Sequence, residues 1–279
     1  MDNPTITFIG GGNMATSLIG GLRAQNHPAD QIWVSDPNVE LLGEHQQRFA
    51  VQTSSDNALA TRHADIVVLA VKPQVMRDVA MGLRESVQGT KPLVMSVAAG
   101  VREADIQRWL GGDVAIVRCM PNTPALLGAG ATGLFANTQV NSSQRGAAEE
   151  ILRAAGLTIW VETEVLLDAV TAVSGSGPAY FFLLMEMMEK VGVELGLEAE
   201  AARALTLQTG LGAARMALES GDSAAVLRKH VTSAGGTTEQ AVISFIDGGL
   251  EAQVRTALTA ARDRAISLGE ELGEELDNS

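Results

Sequence analysis

Two hydrophobic rhythms divide the chain. Residues 5–162 alternate short β-branched runs with stretches of helical period, and from about residue 164 strand signals stop while long helical patterns continue. In the first part the pattern predicts strands over 5–9, 31–35, 66–71, 93–97 and 114–120, then a weaker pair over 133–136 and 158–162. Helical patterns fill the intervals, notably over 13–25, 74–87, 103–110 and 142–155. The run Ile66-Val67-Val68-Leu69-Ala70-Val71 is apolar without alternation, as a strand covered on both faces of a parallel sheet must be. Strand and helix in turn therefore predict an α/β architecture, a doubly wound parallel sheet over 1–163 followed by an all-α domain over 164–279.

The helical part is unusual in what it leaves apolar. Pro178 stands where a first helical turn tolerates a missing N–H. The helix from there to Leu195 carries Tyr180, Phe181, Phe182, Leu183, Leu184, Met185, Met187 and Met188, so it is apolar almost all round. Such a helix must be buried on every side. A helical domain this small does not bury it alone, so a subunit contact is predicted there. The next helix, over 199–219, carries Gly210, Gly212 and many alanines, which suits close approach of helix backbones. The last helix ends in Glu270, Glu271, Glu274, Glu275 and Asp277, charges that oppose the helix dipole and predict a frayed tail.

Composition narrows the partners. A formal charge of −13 argues against nucleic acid as a general partner, while backbone N–H groups still permit an anionic cofactor. The longest apolar tract, around 169–185, is broken by Ser174-Gly175-Ser176-Gly177-Pro178 and then meets Glu186 and Glu189, so no membrane span is expected. Met1 to Pro4 lacks the basic region of a signal peptide, and the single cysteine, Cys119, allows no intrachain disulfide. Both fit a cytoplasmic protein. His27, His45, His63 and His230 show no metal-ligand spacing and Cys119 has no CxxC partner, so no metal site is expected. His27, His45 and His63 read as solvated surface residues, and Cys119 as a small buried hydrophobe.

The first predicted strand runs directly into Gly10-Gly11-Gly12-Asn13-Met14-Ala15, a G-x-G-x-x-A pattern that opens a helix. Gly10 permits the tight turn, Gly12 lets a pyrophosphate approach the backbone, and Ala15 allows close packing of helix on strand. The helix start offers free N–H groups and a positive dipole end to phosphates. Against the alternative of a glycine turn in an unrelated α/β protein, this context favours a dinucleotide-binding Rossmann domain over 1–163. Asp36, at the end of the second strand, stands where an acceptor for a ribose 2′-OH belongs, and no Lys or Arg follows in Pro37-Asn38-Val39. That favours NADH. Ser35 is the alternative, a donor to the 2′-phosphate of NADPH if Asp36 turns away.

On the substrate side, the polar stretch Arg228-Lys229-His230-Val231-Thr232-Ser233-Ala234-Gly235-Gly236-Thr237-Thr238 launches an amphipathic helix over 241–246 that Gly248 closes. Thr237 and Gln240 have capping-box spacing. The stretch reads either as an ordinary capped helix start or as a seat for a small carboxylate. Met120-Pro121-Asn122-Thr123-Pro124 and Val71-Lys72-Pro73-Gln74 both follow predicted strands, on the edge where open α/β sheets bind ligands.

Taken together, FIGGGNMA, LAVKPQ, RCMPNTPALLGAG, DAVTAVSGSGPAYFFLLME and LRKHVTSAGGTTEQAV resemble the pyrroline-5-carboxylate reductases, in order and over nearly the whole chain. The resemblance implies reduction of 1-pyrroline-5-carboxylate to L-proline with NADPH or NADH. It also implies a C-terminal helical domain that interlocks with a second subunit, and homodimers often assembled into decamers. Carried over residue by residue, it places the cofactor at Gly10, Gly12, Asn13, Met14, Ser35, Asn57, Val71, Lys72, Pro73, Ala98 and Ala99, with Asp36 a departure that favours NADH. It places the substrate at Glu164, Ser233, Gly236, Thr237 and Thr238, with Thr238 hydrogen-bonding the ring nitrogen and able to relay a proton. His230 stands where some relatives have Asn near the cofactor.

Two other readings remain. A β-hydroxyacid dehydrogenase shares the layout but needs a basic Lys on a domain-linking helix, and none lies between Glu164 and Glu189. A dinucleotide sensor would bind the cofactor without turning it over.

Overall fold

The computed structural model describes residues 3–277. Eight strands form one sheet: β1 (Ile6–Ile9), β2 (Ile32–Ser35), β3 (Gln52–Ser54), β4 (Ile66–Leu69), β5 (Leu93–Ser96), β6 (Ile116–Met120), β7 (Gly130–Ala136) and β8 (Gly156–Trp160). Their order is β3-β2-β1-β4-β5-β6-β7-β8. All neighbours are parallel except β6 and β7. The exception has a geometric cause. A parallel return needs a crossover of a dozen or so residues, and only the loop and one 3₁₀ turn, Thr123–Leu127, join β6 to β7. The weaker strand pair predicted at 133–136 and 158–162 is thus present, starting earlier in both cases. The short strand β3 was not predicted.

The helices of this unit are α1 (Asn13–Ala24), α2 (Val39–Phe49), α3 (Asn57–Thr61), α4 (Met76–Thr90), α5 (Glu103–Leu110), α6 (Ser142–Arg153) and α7 (Leu166–Val170). Side-chain alternation sorts them onto two faces. Ile6 and Phe8 of β1 and Ile66 and Val68 of β4 join a core with Leu18, Ile19 and Ile151, from α1 and α6. Ile9, Val67 and Leu69 point the other way and pack with Met76, Leu83, Ile106 and Trp109, from α4 and α5. Each such buried aliphatic side chain contributes about 1.5–3 kcal/mol. Both faces of the sheet are covered, as the unbroken apolar strands require.

The chain divides into two compact units, one of residues 1–176 and 261–279, the other Gly177–Ala260. The first unit keeps α7 because Asp168 is buried and accepts from both Nη atoms of Arg102, at 3.3 and 3.0 Å. Five residues of π-helix, Thr171–Gly175, follow α7. The second unit contains α8 (Gly177–Glu194), α9 (Ala199–Glu219), α10 (Ala224–His230), α11 (Thr237–Asp247) and the start of α12 (Leu250–Asp277). Gly210 of α9 lets Met185 of α8 approach, its absent Cβ lying 3.0 Å from the Met185 Cε, whereas Gly212 faces open space.

Within one chain α8 buries only Gly177, and Phe181, Phe182 and Leu195 stay 65%, 63% and 82% exposed. The C-terminal part of α12 returns to the first unit, where Leu272 is buried against Gly100. The helix runs to Asp277, and Glu271, in the tail expected to fray, pairs with Arg264 at 2.5 Å. The side chains of Glu274, Glu275 and Asp277, to which the same expectation applied, lie outside the described residues. Among the described residues no helix is long and apolar enough to cross a membrane.

Candidate active site

The order β3-β2-β1-β4 places the turning point of the sheet between β1 and β4, and β1 ends there in the glycine turn. Gly10 has φ +96°, and a Cβ on it would lie 2.7 Å from the Ala70 carbonyl oxygen. Only glycine satisfies both constraints. Gly12 is the extended residue that starts α1, and a Cβ there would meet nothing within 4 Å. Its glycine therefore serves no internal packing. It leaves the open approach that a pyrophosphate needs, in front of the free N–H groups of Asn13 and Met14. Ala15, wholly buried, seats α1 on the sheet.

The other cofactor residues expected from the sequence lie at the carboxyl ends of neighbouring strands. Asp36 follows β2, and its carboxylate faces the loop rather than away from it: Oδ2 accepts the Gly11 N–H and Oδ1 the Asn38 N–H, both at 2.9 Å. Ser35 is buried and its hydroxyl donates to Asn57 Oδ1 at 2.6 Å. Val71, Lys72 and Pro73 follow β4, with Val71 packed beside Gly10 and Lys72 exposed. Ala98 and Ala99 follow β5, the first buried. These residues thus share one edge of one sheet, and they fit a dinucleotide in open backbone, free N–H groups and a carboxylate at the tip of β2.

The residues expected from the sequence to meet the substrate fall in two places. Ser233, Gly236, Thr237 and Thr238 share the turn into α11 in the second unit. Thr237 does not cap that helix, contrary to its spacing with Gln240. Gly236 is the capping residue, extended at φ −85°, and no side chain caps it. Helix begins at Thr237 because Gly235, at φ +73°, turns the chain one residue earlier and Glu239 Oε2 holds the Gly235 N–H at 2.7 Å. The first N–H groups of α11 are consequently free and the Thr238 hydroxyl is exposed. Gly248 ends α11 in helical conformation, and the left-handed residue is Gly249. Glu164 belongs to the first unit, where its Oε1 accepts from Arg118 Nη1 at 2.7 Å and from the Glu103 N–H at 2.6 Å.

Other sequence readings shift. His45 is not a surface residue: it is buried, with Nε2 2.7 Å from the Gly11 carbonyl oxygen. Its spacing with Leu42 and Phe49 marks one inward face of α2, a signal available in the sequence but unused. His27 is half-buried against the Pro4 carbonyl, and burial lowers its pKa from the usual 6.5. Burial pushes the Cys119 thiol far up, so it stays protonated and unreactive. Asn122 is occupied structurally, donating to the Ser174 carbonyl at 3.0 Å and accepting the Ala131 N–H at 2.9 Å.

A glycine turn at the switch point of a doubly wound sheet, with a helical unit whose apolar α8 stays largely exposed in the single chain, points to the class: a nicotinamide-dinucleotide oxidoreductase that self-associates. Residues 164–268 match the pyrroline-5-carboxylate reductase dimerisation family, and residues 5–100 match the family described as NADP oxidoreductase, coenzyme F420-dependent. The chain is 52% identical to pyrroline-5-carboxylate reductase of Pseudomonas aeruginosa, across 98% of this chain and 100% of that one. It is 42% identical to the Haemophilus influenzae pyrroline-5-carboxylate reductase, across 95% and 97%. Among solved structures, a pyrroline-5-carboxylate reductase from Coxiella burnetii matches with a TM-score of 0.93 at 47% identity, covering 95% of this chain and 98% of that one. The Plasmodium falciparum pyrroline carboxylate reductase with NADP bound matches at 0.83 and 28% identity, covering 96% and 99%. This chain belongs to the pyrroline-5-carboxylate reductase family. It is an NAD(P)H-dependent oxidoreductase that reduces 1-pyrroline-5-carboxylate to L-proline, the last step of proline biosynthesis.

Proposed function

We propose that the free N–H groups at the start of α11 bind the substrate carboxylate, and that Thr238 hydrogen-bonds the ring nitrogen. The uncapped turn at Gly236 carries this reading: a helix start with small flanking residues and no side chain of its own to fill it suits a small anion. Ser233 and Thr237 add hydroxyls to the same turn. Glu164, in the first unit, keeps Oε2 open for a substrate contact of its own, because its bonds to Arg118 and Glu103 use only Oε1.

On the dinucleotide side, Gly10, Gly12, Asn13 and Met14 take the pyrophosphate; Ser35, Asp36 and Asn57 take the ribose end; Val71, Lys72, Pro73, Ala98 and Ala99 line the remainder. When bound, the reduced nicotinamide supplies the hydride that the imine carbon accepts. A protonated imine is already a strong electrophile, so the protein needs no covalent nucleophile and its task is orientation. Asp36 keeps a carboxylate at the tip of β2 with no cation at 37–39, which limits tolerance of a 2′-phosphate.

In this reading residues 1–163 form the dinucleotide half and 164–279 the substrate and dimer half. The assembly is a homodimer, and the single buried cysteine suits the cytoplasm. Purified protein mixed with 1-pyrroline-5-carboxylate and each reduced nicotinamide in turn should consume the cofactor's absorbance. No loss with either would overturn the residue assignments together with the activity.

A further inference from the structure

His45 is 2% exposed, and its ring lies beside Phe49 with centroids 5.9 Å apart. A carbonyl oxygen only accepts, so at 2.7 Å from the Gly11 oxygen Nε2 must carry the proton. Nδ1 is buried with no partner. Packing alone does not account for such a ring: leucine would fill the space with no stranded nitrogen. What imidazole adds is one donor to Gly11. The Thr16 hydroxyl also reaches that oxygen, but at 3.5 Å, and it lies nearer the Gly12 oxygen at 3.1 Å.

Gly11 is therefore clamped through both its peptides. Asp36 Oδ2 holds the N–H of the Gly10–Gly11 peptide, and His45 holds the C=O of the Gly11–Gly12 peptide. In a trans peptide the C=O and N–H point in opposite directions, and none here is cis. Turning the Gly11 carbonyl toward α2 thus sends the Gly12 N–H away from α2. Gly12 is exposed and has open space where its Cβ would be.

We propose that His45 is a positioning residue for the dinucleotide: without touching it, the ring presets the Gly11–Gly12 peptide so that the Gly12 N–H meets the pyrophosphate. This rests on the glycine turn being the dinucleotide site. Presetting a loop strengthens binding because less order is lost when the ligand arrives.

The test compares His45→Leu, which keeps the packing and removes the donor, with His45→Gln, whose amide nitrogen sits where Nε2 does. The readouts are the NADH and NADPH dissociation constants by fluorescence titration, ligand-free melting, and steady-state kinetics. His45→Leu should weaken both dinucleotides about tenfold and raise their KM alike, the loss of one buried hydrogen bond. Its kcat and imine KM should stay within about twofold, and His45→Gln should bind within about threefold of the parent. If the Leu variant does not fold, His45→Asn, whose amide stops short of the carbonyl, takes its place with the same expectation. Parental affinity in the donor-free variant overturns the proposal, as does Gln binding as poorly as Leu. Gly12→Val in parallel separates the two readings. If it leaves dinucleotide affinity unchanged, the glycine turn is not the site and both fall.

Discussion

Glu164 offers a single oxygen, Oε1, to both the Arg118 guanidinium at 2.7 Å and the Glu103 backbone N–H at 2.6 Å. Arg118 sits in the middle of β6 and is only 5% exposed, so this carboxylate is what makes a cation tolerable inside the sheet. Glu164→Ala leaves the guanidinium unpaired and should lower stability by about 3 kcal/mol, read from the urea midpoint. Glu164→Gln retains an acceptor for both donors and should lose less. If Oε2 serves the substrate, the Gln variant also raises the imine KM about fivefold, the value of one charge-assisted hydrogen bond. A parental KM in that variant would make Glu164 purely a partner of Arg118.

Gly10 and Gly12 belong to one motif but differ in what constrains them. At Gly10 the backbone is left-handed and the Ala70 carbonyl occupies the side-chain space, so Gly10→Ala strains the protein whether or not a ligand is present. At Gly12 the space is open. Ligand-free melting should therefore fall by several degrees for Gly10→Ala and hardly at all for Gly12→Val, although both lose dinucleotide affinity. Equal melting of the two variants would contradict the distinction.

How much of this was legible in the sequence follows the length and polarity of each element. β4 could be read because a continuous run of β-branched residues has no other home than a doubly covered sheet. β3 is three residues of Gln, Thr and Ser at a sheet edge, and carries no hydrophobic pattern to read. Spacing pointed to Thr237 as a cap, but a φ > 0 at Gly235 decides where helix begins, and a side-chain pattern does not encode it. His45 escaped because residue type was weighed over its position on the inward face of α2. The exposure of α8 illustrates the converse: its pattern demanded burial that one chain does not supply.

Thr238 is exposed at the first turn of α11 with no bond to its hydroxyl among the described residues. Thr238→Ala should cut kcat with 1-pyrroline-5-carboxylate by about tenfold to a hundredfold, while NADH and NADPH affinities stay at parental values. Thr238→Ser, which keeps the hydroxyl, should recover most of the rate. Unaltered turnover in the alanine variant would remove Thr238 from the chemistry.

The last prediction concerns the apolar face of α8. Phe181 and Phe182 are about two-thirds exposed in the single chain, at 65% and 63%, and lie within the segment that matches the dimerisation family. Two adjacent aromatic rings left to water cost more than a helical unit with so few buried residues can absorb, whereas covering them by a second copy removes that cost. Replacing both with Glu places like charges wherever two copies bring these faces together. The double variant should elute at a smaller size and scatter light as a monomer, and its melting temperature should fall because subunit association no longer stabilises the fold. The isolated Rossmann face should suffer least, retaining measurable binding of the reduced dinucleotide. A double variant that remained fully assembled would place the subunit contact on another surface of the helical unit.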